Sequence, residues 1–217
     1  MIALRNVDKK YDKKVVLSDV NLEIPTGSFV VLKGRSGAGK STLLNIIGGI
    51  ESATSGEIVI DGKKVDSFNT KERVNFFRHK VGFIFQGFYL QPQLTIAENI
   101  ELTGVFAGIA KSTRRERAVK LAQKLGIESV LDQKPAEISG GQAERTCVAR
   151  AIFMNPQIIL ADEPTNNLDP ENARNVIEIL RQVWQETGAT VVIASHDQMV
   201  VEYATQVVRV GGGHVAG

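Results

Sequence analysis

The chain has 217 residues and a mass of 23.6 kDa, the size of one domain or of a core with one inserted lobe. Apolar residues make up 43% and charged residues 23%, which supplies a core and excludes compositional disorder. Twenty-six Lys and Arg against 24 Asp and Glu leave +2, which excludes a protein that grips nucleic acid through bulk charge and leaves only a local basic patch open.

The N-terminal run Met1-Ile2-Ala3-Leu4-Arg5-Asn6 lacks the charged leader and apolar stretch of a secretion signal. Phe29 to Leu32 reads as a buried strand that runs straight into a Gly-rich turn. Thr42 to Ile47 reads as a helix. Glu57 to Ile60, Asp61-Gly62, and Lys63 to Val65 read as a hairpin closed by a type I′ turn. Val81 to Phe85 is a further strand. From Gly87 to Arg150 the pattern is helical, notably over Arg114 to Leu125, with no convincing strand. Cys147 stands alone and cannot form an internal disulfide, which fits a reducing compartment. Ile158 to Ala161 and Val191 to Ala194 read as strands buried on both faces. Between them, Asp169 is placed to cap a helix with Pro170 in its first turn. Ala173, Val176, Ile177, Leu180, Val183 and Trp184 then repeat at helical spacing, and Gly188 ends the helix. Gly211-Gly212-Gly213 predicts a hairpin turn, with His214 solvated. The alternation of strands and helices predicts an α/β fold with a mostly parallel sheet and an inserted helical lobe. No apolar run reaches the roughly 18–20 residues needed to cross a bilayer. The expectation is a soluble, cytosolic chain that reaches a membrane only through a partner.

Three motifs carry chemistry. Gly34-Arg35-Ser36-Gly37-Ala38-Gly39-Lys40-Ser41-Thr42 fits G-x-x-x-x-G-K-[ST]. Its glycines let backbone N–H groups converge on phosphate oxygens, and the following helix adds its positive end. Lys40 is expected on the β- and γ-phosphates and the Ser41 hydroxyl on Mg²⁺. Asp162-Glu163 ends an apolar strand where ligands of α/β sheets bind. Asp162 suits a Mg²⁺ role, and Glu163 suits the base that orients and deprotonates water. Ser139-Gly140-Gly141-Gln142 precedes a helical stretch over about 143–154 and offers a second phosphate-seeking helix end. One nucleotide does not need two such cradles, but a second copy of the chain makes use of the extra one.

With these residues in place, the sequence resembles the nucleotide-binding ATPase of ABC transporters over essentially its whole length. The resemblance implies a P-loop NTPase (RecA-like) core over 1–86 and 151–217, with an N-terminal antiparallel β subdomain and an inserted α-helical subdomain over 87–150. It implies adenine stacking for Tyr11. It places Gln86 at the Mg²⁺ and water and against the membrane partner. It implies ATP contact in trans for Ser139, Gly140, Gly141 and Gln142. Asn167-Leu168-Asp169 matches a loop that crosses a dimer interface, and His196 matches a histidine on the γ-phosphate. Taken singly, Tyr11 reads as a packed surface aromatic, Gln86 as a solvated amide and His196 as a structural histidine. The cofactors implied are ATP and Mg²⁺. The partners implied are a membrane permease and a second copy or a paralogous ATPase, without direct nucleic acid. The implied place is the cytoplasmic face of the inner membrane.

Phe83-Ile84-Phe85-Gln86-Gly87-Phe88-Tyr89-Leu90-Gln91-Pro92-Gln93-Leu94-Thr95, then Glu98-Asn99, is similar to the lipoprotein-release and macrolide-export group. That implies export or extraction of a lipoprotein, lipid or drug, with a cell-division type signalling ATPase as the alternative and a soluble nucleic-acid-linked ATPase behind it. Ile138, Ala143-Glu144 and Asn166-Asn167 depart from the usual pattern of that family. The positions expected to be catalytic, Lys40, Gln86, Glu163 and His196, are intact.

Overall fold

The computed structural model describes residues 1–166 and 168–216. Among the described residues, ten strands and seven α-helices follow in the order β1 (Ile2–Tyr11), β2 (Lys14–Ile24), β3 (Phe29–Lys33), α1 (Lys40–Ile47), β4 (Ser55–Ile60), β5 (Lys63–Lys64), α2 (Thr70–Lys80), β6 (Val81–Ile84), α3 (Ile96–Phe106), α4 (Lys111–Lys124), α5 (Gly140–Ile152), β7 (Ile158–Asp162), α6 (Pro170–Thr187), β8 (Thr190–Ser195), α7 (Gln198–Val201), β9 (Gln206–Gly211) and β10 (His214–Ala216). β2, β1, β4 and β5 form an antiparallel sheet, and β10-β9-β3-β8-β7-β6 form a second. In the second sheet every neighbouring pair is parallel except β9 with β10.

The second sheet is covered on both faces, and its strands alternate between two cores. Phe29, Val31, Ile159 and Val191 point into a core shared with α3 to α6. Val30, Leu32, Leu160 and Val192 point the other way, into a core shared with α1 and the antiparallel sheet. This is why β3, β7 and β8 are apolar without interruption rather than alternating. α6 has the expected ends: Asp169 Oδ1 accepts from the backbone N–H of Glu171 and Asn172 at 3.1 Å, and Gly188 closes it at φ 66°.

Asp61 and Gly62 both have positive φ, as the type I′ reading requires. The expected strand through Val65 is shorter, however. Val65 is buried and opens a 3₁₀ turn to Ser67, while Asp66 Oδ1 accepts from the Ile58 N–H at 3.1 Å. The 81–85 strand ends at Ile84. α4 begins at Lys111 rather than 114, and α5 begins at Gly140 rather than 143, because Ser139 caps it. β1 and β2 form a long bulged hairpin that residue patterning did not mark. His214 is exposed, as read.

Between β6 and β7 the described residues contain helices and no strand. α5 is embedded: Cys147, Val148, Ala149 and Ile152 enter the core that the large sheet also uses. Its last turns also hold the preceding loop. Arg150 donates to the Phe88 and Tyr89 carbonyls at 2.9 Å, and the Cys147 thiol donates to Phe88 O at 3.1 Å.

Candidate active site

Parallel register gathers the site. Lys33 is paired with Ser195 and Ala194 with Asp162, so β3, β8 and β7 end side by side. The glycine loop, His196 and Glu163 leave those three ends on one edge of the sheet. Gln86 leaves the same edge two residues after β6. Tyr11 comes from the end of β1. The result is a cavity of about 420 Å³ lined by Tyr11, Lys14, Val16, Ser36 to Thr42, Gln86, Glu163, Asn166 and His196.

The loop's glycines have local reasons. Gly37 and Gly39 sit at φ 76° and 101°. A Cβ on Gly39 would lie 2.9 Å from Leu17 Cδ2, and one on Gly34 would collide with the Val210 carbonyl. α1 starts at Lys40 with no side chain capping it, so its first N–H groups face the cavity end as free donors.

Lys40 is 5% exposed. Its Nζ donates to Gly34 O at 2.9 Å and Arg35 O at 3.3 Å and pairs with Glu163 Oε1 at 3.1 Å. The other Glu163 oxygen, Oε2, lies 2.9 Å from His196 Nδ1. Glu163 adopts φ 46°, a left-handed conformation that costs a non-glycine residue about 1–3 kcal/mol. The turn is held because its N–H bonds to Ala194 O at 2.9 Å. Ser41 Oγ donates to Asp162 Oδ1 at 3.0 Å. Burial pushes the Asp162 carboxyl above its usual range and the Glu163 charge adds to this, while the Ser41 hydrogen bond and Lys40 pull it down.

Not every predicted residue lines this cavity. Gly34 and Arg35 border a neighbouring groove with Lys33 and Arg209, and they reach the cavity through the carbonyls that hold Lys40. Asp162 acts from behind Ser41. Ser139 and Gly140 lie in a separate groove of about 370 Å³ with Phe88, Tyr89, Leu90 and Ile138. There Ser139 and Gln142 form a capping box, with Gln142 Oε1 accepting from the Ser139 N–H at 2.9 Å. Gly141 packs against Asn172 of α6. Asn167 lies outside the described residues. Lys14, Val16 and Asn166 join the cavity without having been read as site residues. Lys14 and Val16 enter because β2 folds back beside Tyr11, with Tyr11 paired to Lys14, and no local sequence signal gives that.

Comparison with known proteins settles the family. The profile described as "ABC transporter" matches residues 17–166. The chain belongs to the ABC transporter family. It is 40% identical over 203 residues to the macrolide export ATP-binding/permease protein MacB of Burkholderia pseudomallei (strain K96243), covering 94% of this chain and 31% of that protein. The chain therefore spans under a third of MacB. It is 41% identical over 219 residues to the ABC transporter ATP-binding protein MJ1508 of Methanocaldococcus jannaschii, covering 99% and 97% of the two chains. Among solved structures, the dimeric ABC transporter cassette MJ0796 superposes with a TM-score of 0.93 at 39% identity, over 100% of this chain and 97% of that one. A dimeric post-hydrolysis state of MJ0796 bound to ADP and Pi gives 0.92 at 38%, with the same coverage. The fold is thus that of an ABC family cassette, a mixed α/β structure with one antiparallel and one largely parallel sheet. Among the described residues, no helix is long and apolar enough to cross a membrane.

The oxygens around Ser41 fit a hard, octahedral cation. Ser41 Oγ and Asp162 Oδ1 are already adjacent, and the Gln86 amide lines the same cavity. Among the described residues, no cluster of three or more His, Cys, Asp or Glu could cage a metal alone. Few protein ligands, completed by phosphate and water, is the pattern of Mg²⁺.

Proposed function

We propose that this chain binds and hydrolyses ATP as the motor subunit of an ABC transporter, with two copies closing head to tail around two nucleotides. The observation that carries this is the split between the two cradles. Lys40, Ser41, Glu163 and His196 converge on one cavity, while the Ser139 turn opens into another groove of the same chain. A second copy supplies its Ser139–Gln142 turn to the first copy's γ-phosphate. The dimeric ADP- and Pi-bound form of MJ0796, 38% identical, supports the same arrangement.

In this mechanism the loop N–H groups and the α1 N-terminus bind the phosphates. Lys40 leaves Glu163 for the β- and γ-oxygens. Ser41, Asp162 and Gln86 would hold Mg²⁺, which when bound would offset phosphate charge. Glu163, relieved of Lys40, orients the attacking water and takes its proton, and His196 donates toward the γ-phosphate. Tyr11 stacks on the adenine. Closure is favoured by ATP and opening by hydrolysis, because the γ-phosphate bridges the copies.

The stroke passes through the segment from Gln86 to Thr95 to a membrane permease, at the cytoplasmic face of the membrane. The MacB relatives, named as fused ATP-binding/permease proteins for macrolide export, support an exporter or extractor of a drug, lipid or lipoprotein. The test is size-exclusion chromatography with light scattering. A Glu163→Gln chain is expected to run as a dimer only with Mg-ATP, and adding Ser139→Arg is expected to return it to monomer. A Glu163→Gln chain that stays monomeric in saturating Mg-ATP, or a dimer indifferent to Ser139→Arg, overturns the composite site.

A further inference from the structure

Glu51, in the turn after α1, belongs to no motif legible in the sequence, yet its carboxylate ties three neighbours together. Its Oε2 accepts a hydrogen bond from the Tyr11 hydroxyl at the end of β1. Its Oε1 accepts from Asn45 Nδ2 of α1 at 2.9 Å. Lys9 Nζ lies 3.3 Å from Oε2 and also sits over the Tyr11 ring, 4.7 Å from its centroid. The turn itself is anchored. Ile50 and Glu51 donate their N–H groups to Asn45 O at 2.9 and 3.2 Å. Arg73 of α2 donates to the carbonyls of Gly49 and Glu51 at 3.0 and 3.1 Å.

Burial alone does not fix the Tyr11 ring, which is 43% exposed. A mobile exposed ring loses rotamer freedom when a base stacks on it, and that loss weakens binding. A ring pinned at its hydroxyl, with an ammonium over one face, is already ordered and leaves the other face for a planar base. The charge states agree with this. Burial pushes the Glu51 carboxyl up, but hydrogen bonds from Tyr11, Asn45 and Lys9 outweigh it and hold the group below its usual range, so it remains an acceptor. Burial, then the bond to Glu51, pushes the Tyr11 phenol up, so it remains a donor.

We infer that Glu51 is a positioning residue for the nucleobase. It holds Tyr11 in its stacking pose and couples that pose to α1, the helix whose first turn presents Lys40, Ser41 and Thr42 to the phosphates. Glu51 does not line the cavity, so it acts through Tyr11 rather than on the ligand. The inference rests on the reading that Tyr11 receives the base.

Calorimetry with ATP and with inorganic tripolyphosphate, which lacks a base, separates the two claims. Wild type is expected to prefer ATP. Glu51→Ala is expected to weaken ATP binding about five- to tenfold, the effect of one side chain losing its order, while tripolyphosphate binding stays within about twofold. Tyr11→Phe, which keeps the ring and removes only the pinned hydroxyl, gives the same loss, and the double variant adds nothing further. Glu51→Gln, which keeps an acceptor oxygen, recovers most of the affinity. Additive losses in the double variant, or equal losses on tripolyphosphate, overturn the role of Glu51. A wild type that binds both ligands equally overturns base stacking on Tyr11 instead. Should Glu51→Ala fail to fold, Tyr11→Phe decides alone: unchanged ATP affinity overturns the inference.

Discussion

Lys40 Nζ and Glu163 Oε1 stand 3.1 Å apart, both almost excluded from water. The same carboxylate reaches His196 through its other oxygen, and the same ammonium holds the Gly34 and Arg35 carbonyls. His196, Glu163, Lys40 and the two loop carbonyls form one continuous polar chain beside the cavity. A buried pair of this kind is weakened chiefly by removing one charge and leaving the other uncompensated.

Glu163→Gln keeps the shape and removes the charge. Lys40 retains its two carbonyl partners and is freed from an opposing carboxylate. ATP affinity is therefore expected to hold or to rise a few-fold, while turnover falls at least about a hundredfold, the contribution of a positioned general base. Calorimetry and phosphate release measure the two. Turnover near that of the wild type would remove Glu163 as base.

Ser41→Ala deletes one proposed Mg²⁺ ligand and also the hydrogen bond that pulls the Asp162 carboxyl down. Asp162 then protonates at a higher pH than in the wild type. The expected result is a higher Mg²⁺ requirement for ATP binding, with the shortfall growing as pH falls. Titrating Mg²⁺ at fixed ATP, at two pH values, checks it. An unchanged requirement would place the cation elsewhere.

Gly34→Ala meets a hard obstacle rather than a conformational one. The added methyl collides with the backbone carbonyl of Val210, a residue of β9 paired with Val215 of β10. A loss of about 1–3 kcal/mol is expected, roughly 2–10 °C in melting temperature for a chain of this size. Thermal unfolding tests it.

Glu144 on α5 is 4% exposed, and its Oε1 has no hydrogen-bond partner. Burial pushes its carboxyl up to about 8, and Arg150 only partly opposes this. The folded form therefore binds more protons than the unfolded chain between the ordinary glutamate range and about pH 8. Stability from this group falls as pH rises through that window. Glu144→Gln is expected to melt several degrees higher than the wild type at pH 9, with the gap closing toward pH 5. A pH-independent gap would mean that the carboxylate is not the cause.

The glycine loop, the acidic pair and α6 were legible because each is local. Strand, turn and helix follow one another at Leu32, Gly34 and Lys40, and α6 carries both caps and a clean apolar face. β1 and β2 were not legible from patterning. Their alternation is broken by bulges at 4–7, 7–9 and 9–10, and Asn6 and Asp19 take positive φ. α2 buries none of its residues, so it has no stripe to read. α3 buries the polar residues Asn99 and Glu101. Asn99 serves the carbonyls of Gln91, Leu94 and Thr95, and Glu101 meets Arg114, which hides the helical period. The cavity wall from Lys14 and Val16 exists only once the hairpin has paired.

α5 begins at the exposed Ser139, while Cys147 and Arg150 bolt its shaft to the backbone at Phe88 and Tyr89. Those carbonyls lie two and three residues after Gln86. The chain just past the nucleotide cavity therefore cannot slide alone: it must carry this helix along or break three hydrogen bonds at once. A displacement of the aromatic segment is therefore expected to reach the Ser139 end of α5 only together with the core into which that helix is packed.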